Sequence, residues 1–271
     1  MRYTVAATAA IVIALAATTA SAGIIISEEV VVTDQAGKQH KSEQSEMLQG
    51  NKQKVVTADR VVITDLDAGK MIVLIPAAKK FAELPYPPAG VLVPFLARQG
   101  VFIDYAKSTG TGKAAGYDCQ NYAGTWKAGH LKIDGKECVA NAAAGAKEFV
   151  AFRKAMADKL KGTPLELKSE IPDGVPVYSA VSTSIVPAPI PPGFSPAQIA
   201  EINKSNAKAK PETRNTKVTK IEVKDLPAGD FAVPAEYSNL KPNPKAGAPG
   251  VPAKSGTGGA APKAAASPAA H

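Results

Sequence analysis

Residues 50–85 read GNKQKVVTADRVVITDLDAGKMIVLIPAAKKFAELP, and this stretch decides the predicted fold. Residues 60–66 and 71–75 are rich in β-branched side chains and flank a turn-forming Asp-Ala-Gly-Lys sequence at 67–70. This pattern predicts an antiparallel β-hairpin. A turn centred on Ala68 and Gly69 pairs Leu66 with Met71, and it places Ile63 opposite Leu74.

Both faces of this hairpin are apolar, because side chains alternate across a strand. An antiparallel hairpin with one wet face carries polar residues on that face. We therefore expect cover on both sides, from a second sheet, from helices or from a bound apolar ligand. One face carries Val61, Ile63, Ile72 and Leu74, and the other carries Val62, Leu66, Met71, Val73 and Ile75.

The first 22 residues have the pattern of a secretory signal peptide. Arg2 precedes an apolar segment at 5–17, and the small-residue sequence Ala20-Ser21-Ala22 predicts cleavage after Ala22. The apolar run is shorter than the roughly 20 residues that a membrane span needs. We expect a periplasmic or secreted mature chain without a transmembrane segment.

The last 31 residues, 241–271, consist mainly of Pro, Ala, Gly, Ser and Lys. Such a composition buries too little apolar surface to order a chain, so we predict a disordered tail after a single domain at 23–240. Without the signal peptide and the tail, 27 basic and 24 acidic residues remain. This mild excess, dispersed along the chain, does not favour a nucleic-acid partner. The cationic tail is compatible with weak contact with the cell envelope.

Further elements are predicted on both sides of the hairpin. The sequence GIIISEEVVV at 23–32 indicates a first strand, whereas the polar residues 38–46 are expected to form a loop. Phe149, Phe152 and Met156 fall on one face of a predicted helix at 141–161. A second helix is predicted from Ser195-Pro196 to Ala209, since serine and proline favour a helix start.

The only two cysteines, Cys119 and Cys138, are predicted to form a disulfide, as isolated pairs do in exported proteins. A long hairpin that turns at Ala128-Gly129 places the two opposite each other and makes Gly135 a bulge. A turn at Asp134-Gly135 is the competing arrangement and leaves a wider gap.

Catalytic and metal-binding patterns are weak. His40, His130 and His271 are expected in a loop, beside a turn and at the terminus, without a nucleophile motif or zinc spacing. Residues 65–69 start like a calcium loop, but Pro76 stands where the later acidic ligand belongs. We expect no catalytic residue, no metal and no cofactor.

Several short motifs together resemble those of an uncharacterised bacterial exported-domain family allied to the LolA-like lipoprotein-carrier superfamily. They are GNKQKV at 50–55, VITDLDAGKMIVLIPAAKKF at 62–81, GYDCQNY at 116–122, GVPVYS at 174–179 and DFAVPAEY at 230–237. The resemblance implies an α+β fold with a curved antiparallel sheet, a half-barrel covered by two or three helices around an apolar cavity. The candidate residues lining that cavity are Val61, Ile63, Ile72, Leu74, Phe149, Phe152 and Met156.

Two functions follow from these expectations. The first is a non-enzymatic exported protein that binds a lipid, an acyl chain or another hydrophobic molecule in the half-barrel. The second is an envelope-associated structural or interaction protein, whose core is filled by side chains and whose tail contacts the cell wall or a partner.

Overall fold

Twelve strands of one sheet make up most of the part of the chain that the structure describes. It is a computed structural model that describes residues 22–89, 92–98, 100–101, 103–128, 131–185, 195–208 and 210–240. The predicted signal peptide, apart from Ala22, and the predicted tail lie outside these residues. The strands are β1 Gly23–Thr33, β2 Gln39–Gln49, β3 Lys52–Val56, β4 Val61–Asp65, β5 Lys70–Ile75, β6 Lys80–Pro85, β7 Tyr105–Ala114, β8 Tyr117–Ala128, β9 Leu131–Ala140, β10 Val175–Ile185, β11 Glu212–Lys224 and β12 Ser238–Asn239.

The order across the sheet is β12-β6-β5-β4-β3-β2-β1-β11-β10-β9-β8-β7. All neighbours pair antiparallel except β12, which lies parallel to β6. Three α-helices accompany the described strands: α1 Leu92–Ala97, α2 Ala146–Leu160 and α3 Pro196–Lys208. Helix α2 packs against β1, β2 and β10 on the concave face of the sheet. The α+β half-barrel predicted from the sequence is therefore confirmed.

The β4–β5 hairpin forms with a register different from the predicted one. Ile63 pairs with Ile72, and Thr64, not Leu66, pairs with Met71. The loop is longer than predicted, since Leu66 belongs to it, and the slip amounts to two residues. A slip of two leaves every side chain on its own face, because the side-chain period of a strand is two. The predicted division of the hairpin into two faces is thus correct although the predicted pairing is wrong.

Residues 38–46 form most of strand β2, so the prediction of a loop there is wrong. The strand pairs with β1 from Gln39 to Leu48. Its composition is polar for two reasons. Residues 39–43 are exposed, and the inward-pointing Gln44 and Glu46 line a cavity. Low hydrophobicity therefore concealed a strand that is central to the sheet.

Helix α2 begins five residues later than predicted. Gly145 is its N-cap, with φ 72°, a conformation that favours glycine. A Cβ atom at this position would lie 2.5 Å from Cδ1 of Ile24. The glycine therefore sets both the direction in which the chain enters α2 and the close contact of the helix start with β1.

The two cysteines form the predicted disulfide. The long β8–β9 hairpin forms, and the competing turn at Asp134-Gly135 does not. Its register differs from the predicted one, because Cys138 pairs with Asn121. Gly135 is not a bulge, as it pairs regularly with Gly124. A Cβ atom on Gly135 would instead lie 2.5 Å from Oη of Tyr105, so the glycine makes room for that side chain.

The convex face of β3–β5 is covered by the segment that follows β11. A 3-10 turn at Ala228–Phe231 packs there, and Leu226 and Phe231 join a buried cluster with side chains of β4 and β5. Two hydrogen bonds fix this segment: Nζ of Lys54 donates to the carbonyl of Asp230 at 2.8 Å, and the amide of Leu226 donates to Oε1 of Gln49 at 2.8 Å. The protein's own chain thus closes the outer face.

Candidate functional site

The concave face of the sheet carries an unusual mixture of side chains. Along β1, Ile24, Ile26 and Val30 point to this face and are buried, and Glu28 shares their parity. Register pairing aligns Glu28 with Gln44 and aligns Ile26 with Glu46. Acidic and amide groups are therefore placed within an otherwise apolar surface.

Helix α2 supplies the opposite wall. Phe149, Arg153 and Met156 lie at intervals of three and four residues, which puts them on one side of the helix. The guanidinium carbon of Arg153 lies 5.9 Å from the centroid of the Phe149 ring, a cation–π geometry. A long cationic side chain is thereby held between two apolar ones.

Sheet and helix enclose a cavity of about 200 Å³. Its apolar lining side chains are Ile26, Val55, Val62, Met71, Leu96, Val101, Phe149 and Met156. Its polar and charged lining side chains are Glu28, Gln44, Glu46, Gln53, Thr57, Arg60, Thr64, Tyr86, Glu137, Arg153, Ser179, Arg214 and Thr216. The cavity is amphipathic, with an apolar side and a set of buried charges.

Glu28 belongs to a hydrogen-bonded chain of three side chains. Nε2 of Gln44 donates to Oε2 of Glu28, and Nη2 of Arg214 donates to Oε1 of Gln44 at 2.6 Å. Burial, with the nearby charge of Glu46 in addition, raises the pKa of Glu28 to about 7, against the opposing effects of Gln44 and Arg214. The Glu28 carboxyl consequently gains or loses its proton near neutral pH.

Glu46 and Glu137 are two further carboxyls at the cavity wall. Burial raises the pKa of both, and the positive charge of Arg153 opposes the shift in both. Oε1 of Glu46 accepts a hydrogen bond from Nε2 of Gln53 at 2.7 Å. Glu137, from β9, is 7% exposed, so it has lost nearly all its contact with water.

Two donors at the cavity wall have no acceptor among the described residues: Oη of Tyr86 and Nε of Arg153 are buried without a hydrogen-bond partner. Burial raises the pKa of the Tyr86 hydroxyl, which keeps it protonated and able to donate. Since most buried polar atoms in proteins are hydrogen-bonded, each of these two atoms calls for an explanation.

The structure separates the candidate residues predicted from the sequence into two groups. Phe149 and Met156 line the cavity, and Phe152 lies beside them, 1% exposed, within the core under α2. The four hairpin candidates belong to the convex cluster with Leu226 and Phe231, so their predicted place in the cavity is corrected. These four are Val61, Ile63, Ile72 and Leu74. Val62 and Met71, which lie on the other face of the same hairpin, line the cavity instead.

Sequence reasoning missed the charged residues of the site. One signal for Glu28 was present, since an acidic residue shares the parity of Ile26 and Val30 in a strand that is otherwise buried on that side. No local pattern marked Arg214 or Glu137, because their place depends on pairings between strands that are distant in sequence. Arg153 carries no such signal either, because charged residues are usually exposed, yet it lines the cavity.

A larger groove, of about 930 Å³, lies over β7 and β8 beside the disulfide and the segment at 169–173. It is open to solvent, and its lining is more polar than apolar, unlike that of the concave cavity. Among the described residues, no cluster of three or more His, Cys, Asp or Glu side chains is placed to hold a metal ion. No helix within the same ranges has the length and apolarity to cross a membrane.

Fold and site together define an open antiparallel half-barrel with an amphipathic cavity beneath a helix. No protein-family model matches the chain, and no curated protein matches it. Solved structures do match. The LolA superfamily protein NE2245 from Nitrosomonas europaea is 7% identical with a TM-score of 0.29, over 79% of this chain and 91% of that one.

A DUF1329 family protein from Desulfovibrio piger is 12% identical with a TM-score of 0.34, over 79% of this chain and 91% of that one. PNGF-II is 10% identical with a TM-score of 0.34 over 78% of this chain, which spans only 29% of PNGF-II. The LolA superfamily, which the sequence motifs resemble, is thus among the matches. Since all three TM-scores are below 0.5, we base nothing about a ligand on them and argue from the cavity.

Proposed function

We propose that this chain is an exported, non-enzymatic protein that binds a hydrophobic ligand, such as a lipid or an acyl chain, in the concave cavity. The observation that carries the proposal is the cavity between α2 and the sheet, bounded by Val62 and Met71 on the sheet side and by Met156 on the helix side. Concave, mostly apolar spaces with a few convergent polar groups are where proteins bind small ligands. The Cys119–Cys138 disulfide supports the exported part of the proposal, because disulfides persist in oxidising compartments.

One observation favours a second candidate, a structural or interaction protein of the cell envelope. The cavity volume of about 200 Å³ is below the roughly 300–1,000 Å³ usual for ligand pockets. A core filled by its own side chains accounts for that volume. Deleting residues 241–271 tests the envelope role: loss of envelope association supports it, and unchanged fractionation opposes it.

The first experiment for the binding proposal is native mass spectrometry of the protein purified from its exported fraction, followed by organic extraction. A stoichiometric lipid mass is the expected result and identifies the ligand class. A clean ligand-free mass, together with no uptake of a fluorescent fatty acid, overturns the proposal and leaves the envelope protein as the better account.

A pair of variants locates the binding site. Val62→Phe adds a ring at the cavity wall, whereas Ile75→Phe adds a ring at a residue that is 38% exposed and does not line the cavity. Overpacking costs roughly 1–3 kcal/mol, so uptake should fall by about tenfold or more in the first variant. Uptake by Ile75→Phe should match the wild type, and equal losses in both variants would place the ligand elsewhere.

A further inference from the structure

The two buried donors without partners lie at the wall of the same cavity. Tyr86 is 8% exposed and lines the cavity, and its Oη has no hydrogen-bond partner. Arg153 also lines the cavity, and its Nε is likewise buried without a partner. A buried donor without a partner has lost its hydrogen bonds to water and has gained none in return. Two such donors beside one cavity therefore indicate a missing partner group.

Both donors are held in place by the structure around them. The backbone amide of Tyr86 donates to the carbonyl of Gly69 at 2.9 Å, which fixes the chain just after β6. The ring of Tyr86 packs in the core cluster that contains Phe149 and Met156. Both side chains line the same cavity, and the positive charge of Arg153 lowers the pKa of the Tyr86 hydroxyl against the effect of burial.

The chemistry of the missing partner follows from which polar groups at the cavity wall lack hydrogen bonds. Two carboxyls of the site each accept a hydrogen bond from a glutamine, Glu28 from Gln44 and Glu46 from Gln53. The two atoms without partners, Oη of a protonated tyrosine and Nε of an arginine, are both donors. The group that completes the site must therefore be an acceptor, and an amine head group would add a third donor.

We propose that the cavity binds an amphiphile through an acceptor oxygen of its head group, a carboxylate or an ester carbonyl, which accepts hydrogen bonds from Tyr86 Oη and Arg153 Nε. The apolar part of the ligand then packs against Val62, Met71 and Met156. This inference rests on the proposed function and specifies the ligand class for the same cavity. Hydrogen bonds to charged oxygens are the stronger ones, which favours a carboxylate over an ester.

The test compares two tyrosines. Tyr86→Phe removes the hydroxyl at the cavity wall and keeps the ring. Tyr237→Phe is the control, because Tyr237 packs against the convex cluster and does not line this cavity. Binding of dodecanoate, methyl dodecanoate and dodecylamine to the full mature chain is measured by titration calorimetry. Thermal unfolding of each ligand-free variant checks that the fold is retained.

We expect Tyr86→Phe to weaken dodecanoate binding by about tenfold, the effect of losing one hydrogen bond to a charged group. Tyr237→Phe should bind like the wild type, and ligand-free Tyr86→Phe should unfold at no lower temperature, since no internal hydrogen bond is removed. Dodecylamine should bind most weakly to the wild type. A second variant, Arg153→Lys, keeps the charge, loses Nε–H and should weaken dodecanoate binding as well.

The outcomes separate the inference from the proposed function. If the wild type binds dodecanoate but Tyr86→Phe binds it equally well, or if dodecylamine binds as tightly as dodecanoate, the inference is overturned while the binding function stands. If the wild type takes up none of the three probes, the binding function itself fails. Tighter binding of dodecanoate than of its methyl ester identifies the carboxylate as the head group, and equal binding identifies the carbonyl.

Discussion

The two faces of the β4–β5 hairpin are equally apolar in sequence but end in different surroundings. On the convex face, Ile63, Ile72 and Leu74 pack with Leu226 and Phe231 in a cluster of apolar side chains. On the concave face, Val62 and Met71 adjoin a cavity that also contains buried carboxyls. The difference shows that apolarity alone does not locate a binding surface. The convex side is closed by the chain itself, and the concave side has groups that still lack partners.

The largest expected effect comes from breaking the convex closure. Phe231→Ala removes a buried ring, 8% exposed, from the cluster on that face. Replacing a core phenylalanine by alanine costs about 3–5 kcal/mol of the free energy of unfolding. Urea denaturation followed by Trp126 fluorescence measures it. Leu240→Ala, at a residue that is 41% exposed, is the control, with an expected change within about 0.5 kcal/mol. A loss below 1 kcal/mol for Phe231→Ala would contradict the closure.

How far the sequence anticipated these two faces depends on the range of the interactions. Alternation within the hairpin correctly separated Val61 from Val62, because strand periodicity is local. The alternation of side chains does not show which part of the molecule covers each face. The cover of the convex face comes from Phe231, about 160 residues further along the chain than Ile72, and no local pattern records that contact.

The charged part of the site was hidden for a related reason. The polarity of residues 38–46 predicts a loop, although Gln44 and Glu46 point into the cavity and residues 39–43 are exposed within strand β2. The helix bearing Phe149 and Met156 was predicted correctly, since its apolar spacing is strong. Arg153 lines the cavity although charged residues are usually exposed, so its sequence position gives no sign of this role. At this cavity, by contrast, polar side chains of a strand and a charged side chain of a helix point inward.

The second prediction concerns the charged face. The pKa of Glu28 is raised from 4.5 to about 7, so the folded protein holds this proton more tightly than the unfolded chain does. The stabilisation is complete below about pH 4.5 and is lost as the pH rises towards 7, by roughly 1–3 kcal/mol. Glu28→Gln removes this dependence and raises the free energy of unfolding at pH 8 relative to the wild type.

Chemical denaturation from pH 4 to pH 8 measures that dependence. The pKa values of Glu46 and Glu137 are also raised in the folded protein. The free energy of unfolding of the variant should therefore still fall with pH, but less steeply than that of the wild type. Glu43→Gln, at an exposed position of the same strand β2, is the control and should follow the wild-type curve. If the stability of Glu28→Gln depends on pH as steeply as that of the wild type, the pKa of Glu28 is the same in the folded and the unfolded chain.

The smallest expected effect is the difference between two Gln→Leu substitutions, one on the convex face of the sheet and one on the concave face. Gln49→Leu, on the convex side, leaves the amide of Leu226 without its acceptor and should cost about 1 kcal/mol at any pH, because both partners are neutral. Gln53→Leu, on the concave side, removes the donor to Oε1 of Glu46. That hydrogen bond lowers the pKa of Glu46 against the effect of burial, so its loss matters most when the carboxylate is ionised. The cost of Gln53→Leu should therefore increase with pH, whereas that of Gln49→Leu stays constant. Parallel costs for the two variants would mean that Glu46 stays protonated throughout the range.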